Sequence, residues 1–126
     1  MKKLELEPTK TTAEVSLDGD KGTLKFSGRS IPEDPDSFFN RIIEWMEEHF
    51  KTSNKGVTAE FMLEYVNSGS SKYFLEIIRR IDEYHARGNA SKIIWLYEED
   101  DESIQELGEL YESTVQLPFE IKDVIM

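Results

Sequence analysis

The chain has 126 residues, with hydrophobic residues at 38% and aromatic residues at 11%, long enough for one domain with its own core and too apolar for a disordered chain. Its net charge of −11 and pI near 4.6 argue against nucleic acid, whose phosphates need Lys and Arg, and disfavour anionic membrane surfaces. No cysteine is present, which removes disulfides, thiol nucleophiles and zinc–thiolate sites.

Met1-Lys2-Lys3-Leu4-Glu5-Leu6-Glu7-Pro8 lacks the apolar stretch of a signal peptide, and residues 1–10 read as a polar tail ahead of a single domain over 11–126. No apolar run has the length to cross a bilayer, so the expected location is the cytoplasm. Ala13, Val15 and Leu17 alternate with polar neighbours, Asp18-Gly19-Asp20-Lys21-Gly22 turns the chain, and Leu24 and Phe26 resume the alternation. That pattern predicts a β-hairpin. A loop over 27–36 carries Gly28, Pro32 and Pro35. Helical spacing then takes over, with Phe38, Phe39, Ile42, Ile43, Met46 and Phe50 on one face and Asp34 or Asp36 as the cap.

Ser53-Asn54-Lys55-Gly56 stops that helix and opens a third strand. Val57, Ala59, Phe61, Leu63 and Tyr65 fall on one side of it, with Thr58, Glu60, Met62, Glu64 and Val66 on the other. Asn67-Ser68-Gly69-Ser70-Ser71-Lys72 reads as the turn into a second helix, whose stripe is Phe74, Ile77, Ile78, Ile81 and Tyr84. Arg87-Gly88-Asn89 stops it. Ile93 to Tyr97 is a compact strand, Glu98 to Glu102 opens a third helix with Ile104, Leu107, Leu110 and Tyr111, and Leu117-Pro118-Phe119-Glu120-Ile121 is a last extended segment. The order β-β-α-β-α-β-α-β predicts an α/β domain with a mixed sheet, an N-terminal hairpin and two β-α-β crossovers. The expected core is Phe39, Ile42, Ile43, Met46, Phe61, Leu63, Phe74, Ile77, Ile78, Ile81, Trp95 and Leu107.

The chemistry concentrates in the serine turn. Hydroxyls between a strand and a helix lie beside unpaired backbone N–H groups, a place that suits an N-cap and equally suits a phosphate. His49 and His85 stand near helix C-termini, where the dipole favours imidazolium, and neither has triad spacing. The run Glu98-Glu99-Asp100-Asp101-Glu102 lacks the alternation and turn glycine of an EF-hand and reads as helix electrostatics or partner surface. Gly19, Gly22 and Gly28 lie around the hairpin, outside any β-α turn, so no nucleotide loop is expected. Trp45 and Trp95 read as core, with Trp45 an interface marker if exposed. This inventory predicts no catalytic residues, no cofactor and no metal.

The chain also resembles the SiaC-like family of bacterial regulatory phosphoproteins, from about Thr11 to Ile121. The marks are Gly28-Arg29-Ser30-Ile31-Pro32-Glu33-Asp34, Phe38-Phe39 with Trp45, and Leu63-Glu64-Tyr65-Val66-Asn67-Ser68 with Ser70-Ser71-Lys72. Trp95-Leu96-Tyr97-Glu98-Glu99-Asp100-Asp101 and Leu117-Pro118-Phe119-Glu120 complete them in order. The resemblance implies a fold related to the anti-sigma-factor antagonist (STAS) domain and a binding protein that is not an enzyme. It implies a hydroxyl after the third strand that a cognate serine/threonine kinase phosphorylates and a phosphatase frees. The unphosphorylated form would bind a target protein, in the best-known branch a diguanylate cyclase that it activates. The family pattern is close to Asn-Thr-Ser-Ser-Ser-Lys, so Ser68 stands for the usual threonine and Gly69 for the next serine. The resemblance therefore implies Ser68 as phosphoacceptor, with Ser70 second and Ser71 third, and Asn67, Gly69 and Lys72 as the surrounding turn and partner surface. Two other readings stand beside it: an acidic interaction domain without a phospho-switch, and a carboxylate or divalent-metal enzyme using Asp100, Asp101 and Glu106.

Overall fold

The computed structural model describes residues 3–125. Among these the order is β1 (Lys3–Leu6), β2 (Glu14–Asp18), β3 (Thr23–Ser30), α1 (Pro35–Thr52), β4 (Thr58–Val66), α2 (Ser68–Ala86), β5 (Lys92–Glu98), α3 (Glu102–Glu112) and β6 (Phe119–Val124). The strands form one sheet in sequential order from β1 to β6. Pairs β1–β2 and β2–β3 are antiparallel, and every pair from β3 to β6 is parallel. The expected mixed α/β fold is present, with the strands of Ala59 and Ile93 as neighbours.

Each parallel step is bridged by a helix and all steps run the same way across the sheet. Right-handed crossovers therefore lay α1, α2 and α3 on one face. Aromatic contacts register this. Phe74 of α2 meets Phe26 and Phe61 edge-on, both at 6.0 Å, and Phe39 of α1 at 5.2 Å. Tyr111 of α3 meets Trp95 of β5 at 5.4 Å. Between the layers, Phe39, Ile42, Met46, Phe61, Phe74, Ile77, Ile78, Ile81 and Trp95 have no exposed surface, and Ile43 and Leu63 are buried as well. Leu107 alone of the expected core is half-buried.

Several expectations need correction, among them the loop over 27–36, whose first four residues extend β3 to Ser30. Residues 1–10 are not wholly a tail, because Lys3-Leu4-Glu5-Leu6 alternates and pairs with β2. Leu4 and Leu6 thereby gain partners in Leu17 and Val15. Met1, Lys2 and Met126 lie outside the described residues. A third crossover joins the expected two, since β3 and β6 both enter the parallel part of the sheet. The acidic run does not open α3 as a whole: Glu98 ends β5, Asp101 caps the helix through Ile104 N at 3.1 Å, and only Glu102 occupies the first turn.

Helix α3 reaches the sheet through Gly108. A Cβ there would lie 2.4 Å from Trp95 Cδ1, and Trp95 Nε1 donates to Ile104 O at 2.9 Å. Gly108→Ala should therefore lower stability by about 1–3 kcal/mol in urea unfolding, although Ala is the better helix former. Ile78→Ala, at a fully buried site, should cost about 2–5 kcal/mol. A Gly108→Ala midpoint at or above the parent's would contradict the close docking of α3.

Candidate functional site

A bulge aims the end of β4. Gly28 pairs with Leu63 but Arg29 pairs with Tyr65, so Glu64 is the extra residue, opposite Gly28 at φ 103°. The shift turns Tyr65 outward, to 54% exposed, where strict alternation expects it beside Phe61 and Leu63. Val66 turns in against the core instead.

The chain then enters α2 without an intervening turn. Asn67 is the N-cap, its Oδ1 accepting from Ser70 N at 2.9 Å. The serines expected in a turn thus form the helix's first turn, and the cap is the asparagine. Ser70 is fully buried. Its hydroxyl donates to Ser30 O at 3.0 Å and accepts from Ser30 Oγ at 2.9 Å, while Asn67 N also donates to Ser30 O at 3.2 Å. This fixes the rotation of the helix. Residues two apart point about 200° away from each other around an α-helix, so burying Ser70 turns Ser68 to solvent. Ser68 is exposed.

Ser71 ties α2 to α3. Its Oγ lies 3.0 Å from the Tyr111 hydroxyl, which donates to Ser71 O at 2.8 Å. Burial pushes the Tyr111 phenol up to about 12, so it remains a donor at neutral pH. Gly69 is not sterically required, for a Cβ there would lie at an ordinary 3.5 Å from Pro35 Cγ. Lys72 is exposed and lines a neighbouring hollow with Pro35, Asp36, Gly69, Tyr73 and Glu76.

Ser68 borders a groove of about 500 Å³ between the end of β4 and the N-termini of α2 and α3. Tyr65, Val66, Ile104 and Leu107 give it apolar surface, and Glu64 and Asp101 make it acidic. Asn67, Ser68 and Ser71 meet in it, whereas Ser70, Gly69 and Lys72 do not line it. Ser30 and Tyr111 are the positioning residues that sequence reading passed over. Each lies 40 residues from its serine, so no local pattern marks it.

The histidines stand elsewhere. His85 Nδ1 accepts from Ser91 N at 2.9 Å. His49 is buried with neither ring nitrogen hydrogen-bonded, and the Trp45 ring stacks on it at 4.9 Å. Its burial holds the imidazole pKa below the usual value, the reverse of the imidazolium expected from the helix dipole. Trp45 is half-buried and Trp95 fully buried. Among the described residues, no group of three or more His, Asp or Glu side chains is placed to hold a metal ion. No described helix is long and apolar enough to cross a membrane.

Residues 6–124 match the family described as SiaC family regulatory phosphoprotein. The chain belongs to the SiaC family. An uncharacterized protein of Pseudomonas aeruginosa is 27% identical over 122 residues, spanning 97% of both chains. The solved structure of SiaC of Pseudomonas aeruginosa superposes with a TM-score of 0.92 at 26% identity, over 98% of this chain and all of that one. A crystal structure of the diguanylate cyclase SiaD in complex with its activator SiaC, from the same organism, contains a chain matching with a TM-score of 0.92 at 26% identity. It covers 96% of this SiaC family member and 99% of that chain.

The two serines predict opposite responses to charge. Ser68→Asp places a carboxylate on an exposed first turn, where the dipole favours it, and should leave stability within about 1 kcal/mol of the parent. Ser70→Asp buries an unpaired charge against Ser30 and should cost roughly 3–5 kcal/mol. Equal unfolding midpoints for the two variants would contradict the assigned helix rotation.

His49 predicts a pH dependence. Its folded pKa is depressed, so the unfolded chain takes the proton first. The stability tied to neutral His49 is complete above the ordinary value of 6.5 and falls as pH drops below it. Urea midpoints measured from neutral pH downward should show that fall, and His49→Phe should flatten it. An unchanged slope in the variant would contradict a buried neutral imidazole.

Proposed function

We propose that this protein is a non-enzymatic cytoplasmic regulator whose binding to a target is switched by phosphorylation of Ser68. The unphosphorylated form engages the target through the groove beside Ser68. A cognate serine/threonine kinase blocks that engagement and a phosphatase restores it. The target is a diguanylate cyclase, by analogy with the SiaC relative that accompanies SiaD as its activator. Membership in a family of regulatory phosphoproteins supports the reading.

The observation that carries it is the division of labour among the serines. Ser68 is exposed at the edge of the groove, Ser70 is buried in a structural hydrogen bond, and Ser71 is engaged with Tyr111. A kinase can reach the first without unfolding the helix. Phosphate there would add about two negative charges at a helix N-terminus, where free N–H groups and the dipole accept them. Lys72, one turn along the same helix, supplies a cation. A partner packed on Tyr65 and Leu107 would instead have to desolvate a dianion already flanked by Glu64 and Asp101.

The test is mass spectrometry after exposure to the cognate kinase, with Ser68→Ala, Ser70→Ala and the parent compared, alongside cyclase binding. Phosphate should appear at Ser68 and vanish in Ser68→Ala, which should still bind. Ser68→Asp should weaken binding by roughly tenfold or more while the fold persists. No phosphate at 68, together with binding indifferent to an acidic residue there, would overturn the proposal.

A further inference from the structure

The sheet has a second face. Helices α1, α2 and α3 cover one side, whereas parallel sheets are as a rule covered on both. On the other side, the strand register sets two rows across the sheet. One runs Ser16, Lys25, Glu60, Ile94, Glu120, and the next runs Glu14, Ser27, Met62, Leu96, Lys122. Met62, Ile94 and Leu96 thus form an apolar centre on β4 and β5, with Val124 diagonal to Leu96. All four keep part of their surface exposed. Opposite charges flank the centre: Lys25 on the β3 side, and on the β6 side Glu120, which pairs with Lys122 at 3.1 Å.

We propose that this face is a homodimer interface, on which a second copy of the chain packs about a two-fold axis running along the strands over the β4–β5 boundary. Such an axis keeps every residue at its level along the strands and exchanges left for right. It lays β3 of each copy over β6 of the other, and β4 over β5. Met62 of each copy then meets Leu96 of the other. Lys25 of each meets Glu120 of the other, so the ion pair forms twice. Lys122 falls opposite Ser27, one strand from Glu14, and Glu60 falls opposite Ile94 with Lys25 beside it in its own row. The placing of Lys25 and Glu120 at one level on opposite sides of the apolar centre is self-complementary under a two-fold axis, as an isologous interface requires. A uniformly basic partner would be repelled at Lys25 and a uniformly acidic one at Glu120. Aligned sheets pack about 10 Å apart, which these side chains span.

Because the axis runs along the strands, the C-terminal end of β4 points the same way in both copies. Both Ser68 grooves then open at one end of the dimer, and the assembly is bivalent toward a target that is itself two-fold. That consequence rests on the proposed role of Ser68; the dimer does not.

Sedimentation velocity of the full chain across concentration tests the interface. The parent should pass from monomer to dimer, and Leu96→Glu should be monomeric with an unchanged circular dichroism spectrum. Lys25→Glu and Glu120→Lys should each raise the dimer Kd by roughly tenfold or more, and the double exchange should return it to within roughly threefold of the parent. Ser68→Asp should dimerise as the parent does, so lost target binding with an intact dimer counts for the switch and leaves the interface unaffected. A parent that stays monomeric to about 1 mM, a dimer indifferent to these substitutions, or a double exchange without rescue would overturn the proposal.

Discussion

The buried hydrogen bonds between Ser30 and Ser70 are the constraint on which the site depends. A hydroxyl with no exposed surface must be paired, because leaving it unpaired costs roughly 1–3 kcal/mol. Ser70 meets that demand with both its proton and a lone pair, and the carbonyl of Ser30 also takes the Asn67 N–H. The end of β3 therefore grips the start of α2 at three points. Helix geometry does the rest: with Ser70 held inward, Ser68 faces water and Ser71 faces α3. One buried pair thus assigns different chemical environments to three hydroxyls that look alike in the sequence.

The same arrangement separates the stability of the fold from the character of its surface. The first turn of a helix carries N–H groups without helical partners, so added negative charge at Ser68 meets favourable electrostatics locally. Across the groove the balance is reversed. Glu64 and Asp101 already make that surface acidic, and Tyr65 and Leu107 give a partner apolar area to cover. A phosphate on Ser68 would leave the core untouched and make the same groove far more costly to desolvate. In the proposed switch the fold tolerates what the partner cannot.

Much of the scaffold was legible in the sequence because periodicity is a local signal. The stripe Phe74, Ile77, Ile78, Ile81 defined α2, and alternation through Ala59, Phe61 and Leu63 defined β4. Local signals failed where a distant residue decides the outcome. Nothing near Tyr65 announces the bulge, which depends on Gly28 of the neighbouring strand and turns the ring outward. The four residues of β1 were too short and too charged to stand out until β2 supplied partners for Leu4 and Leu6. His49 was misjudged for a related reason: the dipole acts along its own helix, but the burial that outweighs it comes from tertiary packing. The serine cluster was visible as a place where chemistry could occur. The resemblance is what places Ser68 first, and the burial of Ser70 against Ser30, which sets the two hydroxyls apart, depends on a residue 40 positions away.

The central claim is that a phosphate on Ser68 changes the groove and nothing beneath it. Two-dimensional amide NMR of the protein before and after phosphorylation at Ser68 tests this most directly. Shifts should concentrate in residues 65–72 and 101–107, while the Trp95 indole N–H, bonded to Ile104 O in the core, keeps its dispersed, protected signal. Broad shifts through β3, β4 and β5, or loss of the Trp95 signal, would show that the modification breaks the Ser30–Ser70 anchor and would contradict the claim.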